Sequence, residues 1–131
     1  MGQPAAKQSD QVVGTYTHVI MIPAAPAPPV PTPLPHPFTG ILQQRLSTNV
    51  KIQGMPAATA DSIAVNTPAH IPQGGSFQKP PMNQGKIMMG STTVFINNKP
   101  AARSGDTAMT CNDPTDMPVG KIVAVSTVLI G

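Results

Sequence analysis

The chain carries three histidines and one cysteine, His18, His36, His70 and Cys111. Three imidazoles and a thiolate are the complete donor set of a closed, tetrahedral structural zinc site, with no coordination position left for a substrate. The gaps between them are 18, 34 and 41 residues, not the short pairs of a zinc finger. Spacing alone therefore leaves a second reading open: three polar surface imidazoles and a buried, inert thiol. Local context favours a site. His18 follows Thr17 in a β-branched run, His36 is clamped between Pro35 and Pro37, His70 follows Asn66-Thr67-Pro68-Ala69, and Cys111 ends the run that returns from a repeat. All four stand where the chain stiffens or turns, as ligands must when no helix presents them.

Other chemistry is thin. There is no glutamate, and the carboxylates are Asp10, Asp61, Asp106, Asp113 and Asp116. Asp61 and Asp106 sit in turn contexts, where Asp satisfies backbone N–H groups. A Cys–His nucleophile pair could use Cys111, but no third group orients the base and no oxyanion loop is evident. Gly74-Gly75 is too little for a phosphate cradle. The expectation is a protein with no catalytic residues that is not an enzyme. The alternative from another class, a small zinc-dependent hydrolase, would lose activity rather than fold on metal removal.

The elements that must position these residues are short strands. With 17 Pro and 11 Gly among 131 residues, Pro, Gly, Ser and Gln make up about a third of the chain, a share at which disorder is the default. Against disorder stand 40% hydrophobic residues and a net charge of only +3, since disordered chains lack apolar residues. The aromatic set is Tyr16, Phe38, Phe77 and Phe95, and a single cysteine excludes an internal disulfide. A core so poor in large side chains calls for a metal, a partner, or both. Six Lys and two Arg are scattered singly, without the basic stripe or aromatic platform of a nucleic-acid binder.

Along the chain, Met1–Val13 reads as a polar leader to one domain spanning residues 1–131. No apolar segment follows Lys7, so the expectation is synthesis in the cytoplasm without a signal peptide. Thr15–Ile22 is a strand. Pro29, Pro31, Pro33, Pro35 and Pro37 then recur at every second residue. In an extended strand that places the prolines on one face and Val30, Thr32, Leu34 and His36 on the other; a polyproline II helix would not sort them so. An ordered, docked run is expected, with a proline-rich ligand for a recognition module as the alternative. Eight prolines between Pro23 and Pro37 exclude a transmembrane helix in the uncharged window Gln11–Gln44. Lys121–Ile130 is a final strand or strand pair. Short β-branched runs punctuated by Gly and Pro, with no 3.6 period, predict an all-β fold.

The organising feature is a repeat. Ser47–Ala58 (STNVKIQGMPAA) and Ser91–Ala102 (STTVFINNKPAA) agree at seven of twelve positions. Each reads as an alternating strand, a two-residue turn (Gln53-Gly54 or Asn97-Asn98) and an exit through Pro-Ala-Ala.

The stretch Lys99-Pro100-Ala101-Ala102-Arg103-Ser104-Gly105-Asp106, with the repeat, the proline run and the ligand inventory, resembles the PAAR family of spike-tip proteins of bacterial contractile injection systems. The resemblance runs from about Gly14 to the C-terminus and implies a compact, cone-like tip of hairpins closed by one structural Zn²⁺ on His18, His36, His70 and Cys111. It also implies a function: to cap and sharpen a trimeric β-helical spike, one tip per trimer, in a type VI secretion system or an extracellular phage-tail-like particle. The expected partners are that spike trimer, effector cargo and, transiently, a target membrane, with no nucleic acid. The expected location is the exterior, after export as the tip of the particle. Two departures are visible: Thr15-Tyr16-Thr17-His18 lacks the Asp often found before the first histidine, and Thr59 stands where the first repeat would have Arg. A third pseudo-symmetric contribution is expected from Lys121–Gly131, with Val125, Val128 and Ile130 as candidates for the base.

Overall fold

In the computed structural model, which describes residues 2–66, 69, 71–72, 74–112 and 115–131, the proline run is a strand. β2 (Gln11–Ala24) and β3 (Ala27–Gln44) form a long antiparallel hairpin in which Tyr16 faces His36 and His18 faces Leu34. The hydrogen-bond parity explains the proline spacing. Leu42 N–H donates to Asp10 O, so even-numbered residues of β3 turn their N–H toward the β2 side, while Thr39 N–H donates away from it to Asn66 Oδ1. The odd-numbered prolines therefore aim their nitrogens at the edge where no donor is missed. Their rings stay exposed, and the opposite face sinks inward through Leu34 to buried His36 and Phe38.

The described strands are all paired antiparallel, and no helix among the described residues is long and apolar enough to cross a membrane. β2 and β3 join β6 (Ile63–Asn66), β8 (Gln84–Ile87), β11 (Thr107–Thr110) and β12 (Met117–Val123) in the order β12-β11-β8-β6-β3-β2, and a β12–β2 pairing closes the ring. β7 (Ser76–Phe77) adds to the free side of β2 near Ile20 and Met21. Among the described residues only the β2–β3 hairpin and the short β7 carry on beyond Asn66, Gln84 and Thr110, so the number of strands falls along the hairpin's length.

Below the ring stand three two-stranded ladders: β4 (Lys51–Ile52) with β5 (Met55–Pro56), β9 (Phe95–Ile96) with β10 (Lys99–Pro100), and β1 (Gln3–Pro4) with β13 (Leu129–Ile130). The first two are the sequence repeats. Their turns have φ of 50° and 81° at Gln53-Gly54 and 53° and 66° at Asn97-Asn98, positive at both positions as two-residue hairpins with the right twist require. The third ladder joins the two ends of the chain. The Met1–Val13 leader reading therefore needs correcting: Pro4-Ala5-Ala6-Lys7 is a third copy of the Pro-Ala-Ala exit, and Ala5 and Ala6 are fully buried. Lys121–Gly131 supplies only the opening half of that copy, Val128-Leu129-Ile130.

The three copies share a set of equivalent backbone hydrogen bonds. Ala5, Ala57 and Ala101 each donate N–H to Val128, Val50 and Val94, and Leu42, Ile87 and Ile122 donate to Asp10, Ser62 and Asp106. At the centre Ala6 N–H donates to Ala102 O, Ala102 N–H to Ala58 O and Ala58 N–H to Ala6 O, each at 3.0 Å. Only side chains as small as alanine let three backbones approach this closely. Above that ring Leu42, Ile87 and Ile122 pack with Phe38 and Tyr16 in one core; below it Ile52, Ile96 and Ile130 form a second. Each of these aliphatic side chains contributes about 1.5–3 kcal/mol by burial. Two residues before each upper aliphatic stands a glycine, Gly40, Gly85 and Gly120. A Cβ on Gly40 would lie 2.5 Å from the Phe38 ring, and one on Gly120 would meet Thr110 and Val12 at 2.8 and 2.9 Å, so the interior closes around one large ring only because these positions are empty.

Each Pro-Ala-Ala exit is tied off three residues later. Arg103 N–H donates to Asp106 Oδ2 and its guanidinium grips the same carboxylate at 3.1 and 2.9 Å. Lys7 and Asp10 repeat this arrangement, and Thr59 N–H donates instead to Ser62 Oγ. The expected role of Asp106 thus holds, whereas Asp61 is displaced by its neighbour: it occupies the left-handed turn position at φ 77°, equivalent to Ser9 and Gly105, and pairs with exposed Lys86 at 3.5 Å.

Candidate functional site

Where β6, β8 and β11 have ended, the inner face of the β2–β3 hairpin presents Tyr16, His18, His36 and Phe38. His18 and His36 are diagonal neighbours across the two strands, with ring centroids 5.2 Å apart, and both are buried. Cys111, the first residue after β11, is buried with its Sγ 3.9 Å from His18 Nε2. Three of the four aromatic side chains collect here. Tyr16 meets His18 edge-on at 5.1 Å and tilts against Phe38, while Phe77 on β7 packs on both imidazoles at 5.5 and 6.0 Å.

The chemistry of the donors suits a metal. His36 Nδ1 lies 3.0 Å from Leu34 O, and a carbonyl can only accept, so the proton is on Nδ1 and the lone pair on buried Nε2. A backbone carbonyl fixing the far nitrogen is the usual support of a metal-bound imidazole. Burial pushes the Cys111 thiol up, and backbone N–H groups of Asn83 and Gln84 pull it partly back. Those N–H groups stabilise a thiolate, while burial excludes one unless a cation arrives. A tetrahedral zinc holds an imidazole nitrogen and a thiolate sulfur about 3.6 Å apart, close to the 3.9 Å seen between His18 and Cys111. Beside this pair lies a cavity of about 10 Å³ roofed by Pro80, Pro81 and Met82, the size of an ion or a water and far too small for a substrate.

Among the described residues no three His, Cys, Asp or Glu side chains converge as one metal-binding group. The structure brings His18 to His36 and His18 to Cys111 as two pairs. His70, the fourth residue of the expected set, lies outside the described residues.

Sequence reasoning missed Asn112. Its side-chain carbonyl accepts the N–H of Thr17 at 2.7 Å, and its amide donates to Thr115 O at 3.2 Å. It thereby straps the loop after Cys111 onto β2 one residue from His18, and the only cue was a turn-prone Asn after the cysteine. Also missed was the Gly-x-Ile/Leu triplet at 40, 85 and 120, too short to stand out in a sequence.

At the other end the ladders are laced to one another around the same axis. Gln53 Nε2 donates to Thr127 Oγ1, Asn97 Nδ2 to Ser47 Oγ and Asn49 Oδ1, and Ser91 Oγ to the Gly131 carbonyl. Each turn thus rests on the Ser-Thr start of a neighbouring copy. Ile130, expected at the base, is core in the lower cluster; Val125 is 80% exposed and Val128 40% exposed. Phe95 and Leu129 stand exposed at equivalent strand positions.

A PAAR motif family model matches residues 33–115 and 77–131. The two overlapping matches together cover most of the chain, and the chain belongs to the PAAR motif family. No curated protein and no solved structure matches.

Proposed function

We propose that this protein is a spike tip: a single chain that caps a trimeric β-helical spike of a contractile injection system, one copy per trimer. The observation that carries the reading is the cyclic hydrogen bonding of Ala6, Ala58 and Ala102 with three equivalent ladders beneath it. A trimer offers three identical faces around an axis. One chain can meet all three alike only if it carries three equivalent surfaces, and this chain builds them from residues at both ends and the middle. Toward the opposite end it loses strands until one stiff, proline-armoured hairpin remains, a form suited to puncturing rather than to turnover. Export follows from riding on the spike.

In this reading His18, His36, His70 and Cys111 hold one Zn²⁺, whose role when bound is to cross-link. It would supply a rigid tie between the β2–β3 hairpin and the loop after β11. The chain's own residues prepare the place: Leu34 O orients His36, Asn112 holds the cysteine loop against β2, and the aromatic side chains exclude water. With all four side chains on the metal, no coordination position would remain for a substrate, which counts against the zinc-dependent hydrolase alternative.

Co-expression with the trimeric spike protein from the same source tests the cap. Co-purification that is lost on replacing the exposed ladder residues Phe95 and Leu129 by Asp supports it, and independent elution of the wild-type proteins overturns it.

A further inference from the structure

The pseudo-threefold symmetry is imperfect, and two of its breaks fall on one cleft. Between the upper aliphatic and the valine that accepts the alanine N–H stand seven residues after Leu42 (43–49), six after Ile87 (88–93) and five after Ile122 (123–127), so the first copy has the longest connection. The longer connection contains Arg45, held in the left-handed region at φ 55°, a conformation uncommon for a residue of its size. The second break is Thr59, which occupies the place of Lys7 and Arg103. Where the other copies put a long cation into an ion pair, this one has a short hydroxyl side chain. The space left is a cleft of about 80 Å³ lined by Arg45, Ser47, Thr59, Asn97 and Lys99, among others, with no carboxylate among the described residues of its wall.

Among the described residues the ion pairs are Lys7–Asp10, Lys86–Asp61 and Arg103–Asp106. Arg45 and Lys99 take part in none of them. Two cations facing one polar cleft repel each other unless an anion sits between them, and a guanidinium beside an ammonium, with hydroxyls and an amide around them, is a donor set for a carboxylate. Ile96, Asn97 and Lys99 belong to the β9–β10 ladder, so the cleft is continuous with the ring of ladders.

We infer that this cleft receives a carboxylate of the spike trimer, and that it selects one of the three otherwise equivalent rotational settings of the tip. The inference rests on the capping function proposed above. All three spike subunits offer the same acidic group, but only one can meet Arg45 and Lys99; the equivalent places next to Lys7 and Arg103 are already neutralised by Asp10 and Asp106.

Titrating the tip against purified spike trimer at two salt concentrations tests it. The Arg45→Gln/Lys99→Gln double variant, both residues exposed, should weaken association about tenfold or more and flatten its salt dependence. Lys121→Gln, which removes an exposed cation on β12, outside both the cleft and the ladders, should change affinity no more than about threefold. Thr59→Arg decides between a specific cleft and general attraction. It adds positive charge yet fills the space, so it should weaken binding as well, with melting curves confirming that it folds. If wild-type tip binds and the double variant behaves like Lys121→Gln, or Thr59→Arg binds more tightly, the inference is overturned while the cap stands. If wild-type tip does not bind, the capping function itself fails.

Discussion

Ala6 near the N-terminus and Ala102 are joined by a 3.0 Å backbone hydrogen bond, and Ala58 closes the circuit between them. The bond makes the first residues of the chain structural. Pro4, Ala5 and Ala6 take part in bonds with Ser104, Val128, Ala102 and Ala58, worth about 2–6 kcal/mol together. That is a large share of the stability of an ordinary domain. Deleting residues 2–7 should abolish or broaden cooperative unfolding in a thermal melt; an unchanged melt would mean the ring is dispensable.

The alanine ring tolerates no bulk. Ala58→Leu inserts three carbons where three backbones meet and should cost about 1–3 kcal/mol by overpacking, read from urea midpoints. Ala27→Leu, on the exposed start of β3, should change the midpoint little.

The acidic residues divide by role. Asp106→Ala removes the acceptor of the Arg103 N–H and one half of a forked ion pair, and should cost about 1–3 kcal/mol. Asp61→Asn keeps a side chain that accepts the left-handed backbone and loses only an exposed pair with Lys86, so it should stay within about 0.5 kcal/mol. Equal effects in chemical denaturation would contradict the assignment of turn closure to Asp106.

Metal and pH should act in opposite directions. In chelated protein the Cys111 thiol is raised by burial, so the folded state holds its proton more tightly than the unfolded chain. That contribution is fully present below the ordinary thiol range of about 8.5 and is lost as pH rises through the higher folded value. Chelated wild-type should therefore melt lower at pH 10 than a comparison with chelated Cys111→Ser accounts for. With zinc bound the thiolate is required, and acid should release the metal. Elemental analysis should find about one zinc per chain, and a Cys111→Ser/His36→Ala double variant should lose it. Retention of full zinc by that variant would exclude the proposed ligands.

Much of this architecture is legible in the sequence where the signal is local. Gln53-Gly54 and Asn97-Asn98 announce their turns because only residues tolerant of positive φ fit there. The alternating prolines announce a strand because their parity leaves every required donor intact. The third copy is hidden for a physical reason: its strand, Val128-Leu129-Ile130, and its exit, Pro4-Ala5-Ala6, lie at opposite ends of the chain and meet only in three dimensions. A search for contiguous twelve-residue copies cannot join them. His18, His36 and Cys111 are marked by type and stiffened context, but their approach depends on β3 register and on Asn112, which no spacing rule encodes.

The mass of the complex between tip and spike tests the central claim most directly. Native mass spectrometry of the co-expressed proteins should give three spike chains to one tip, because the threefold surface within one chain occupies all three subunits at once. Three tips per trimer, or spike trimers carrying none, would contradict it.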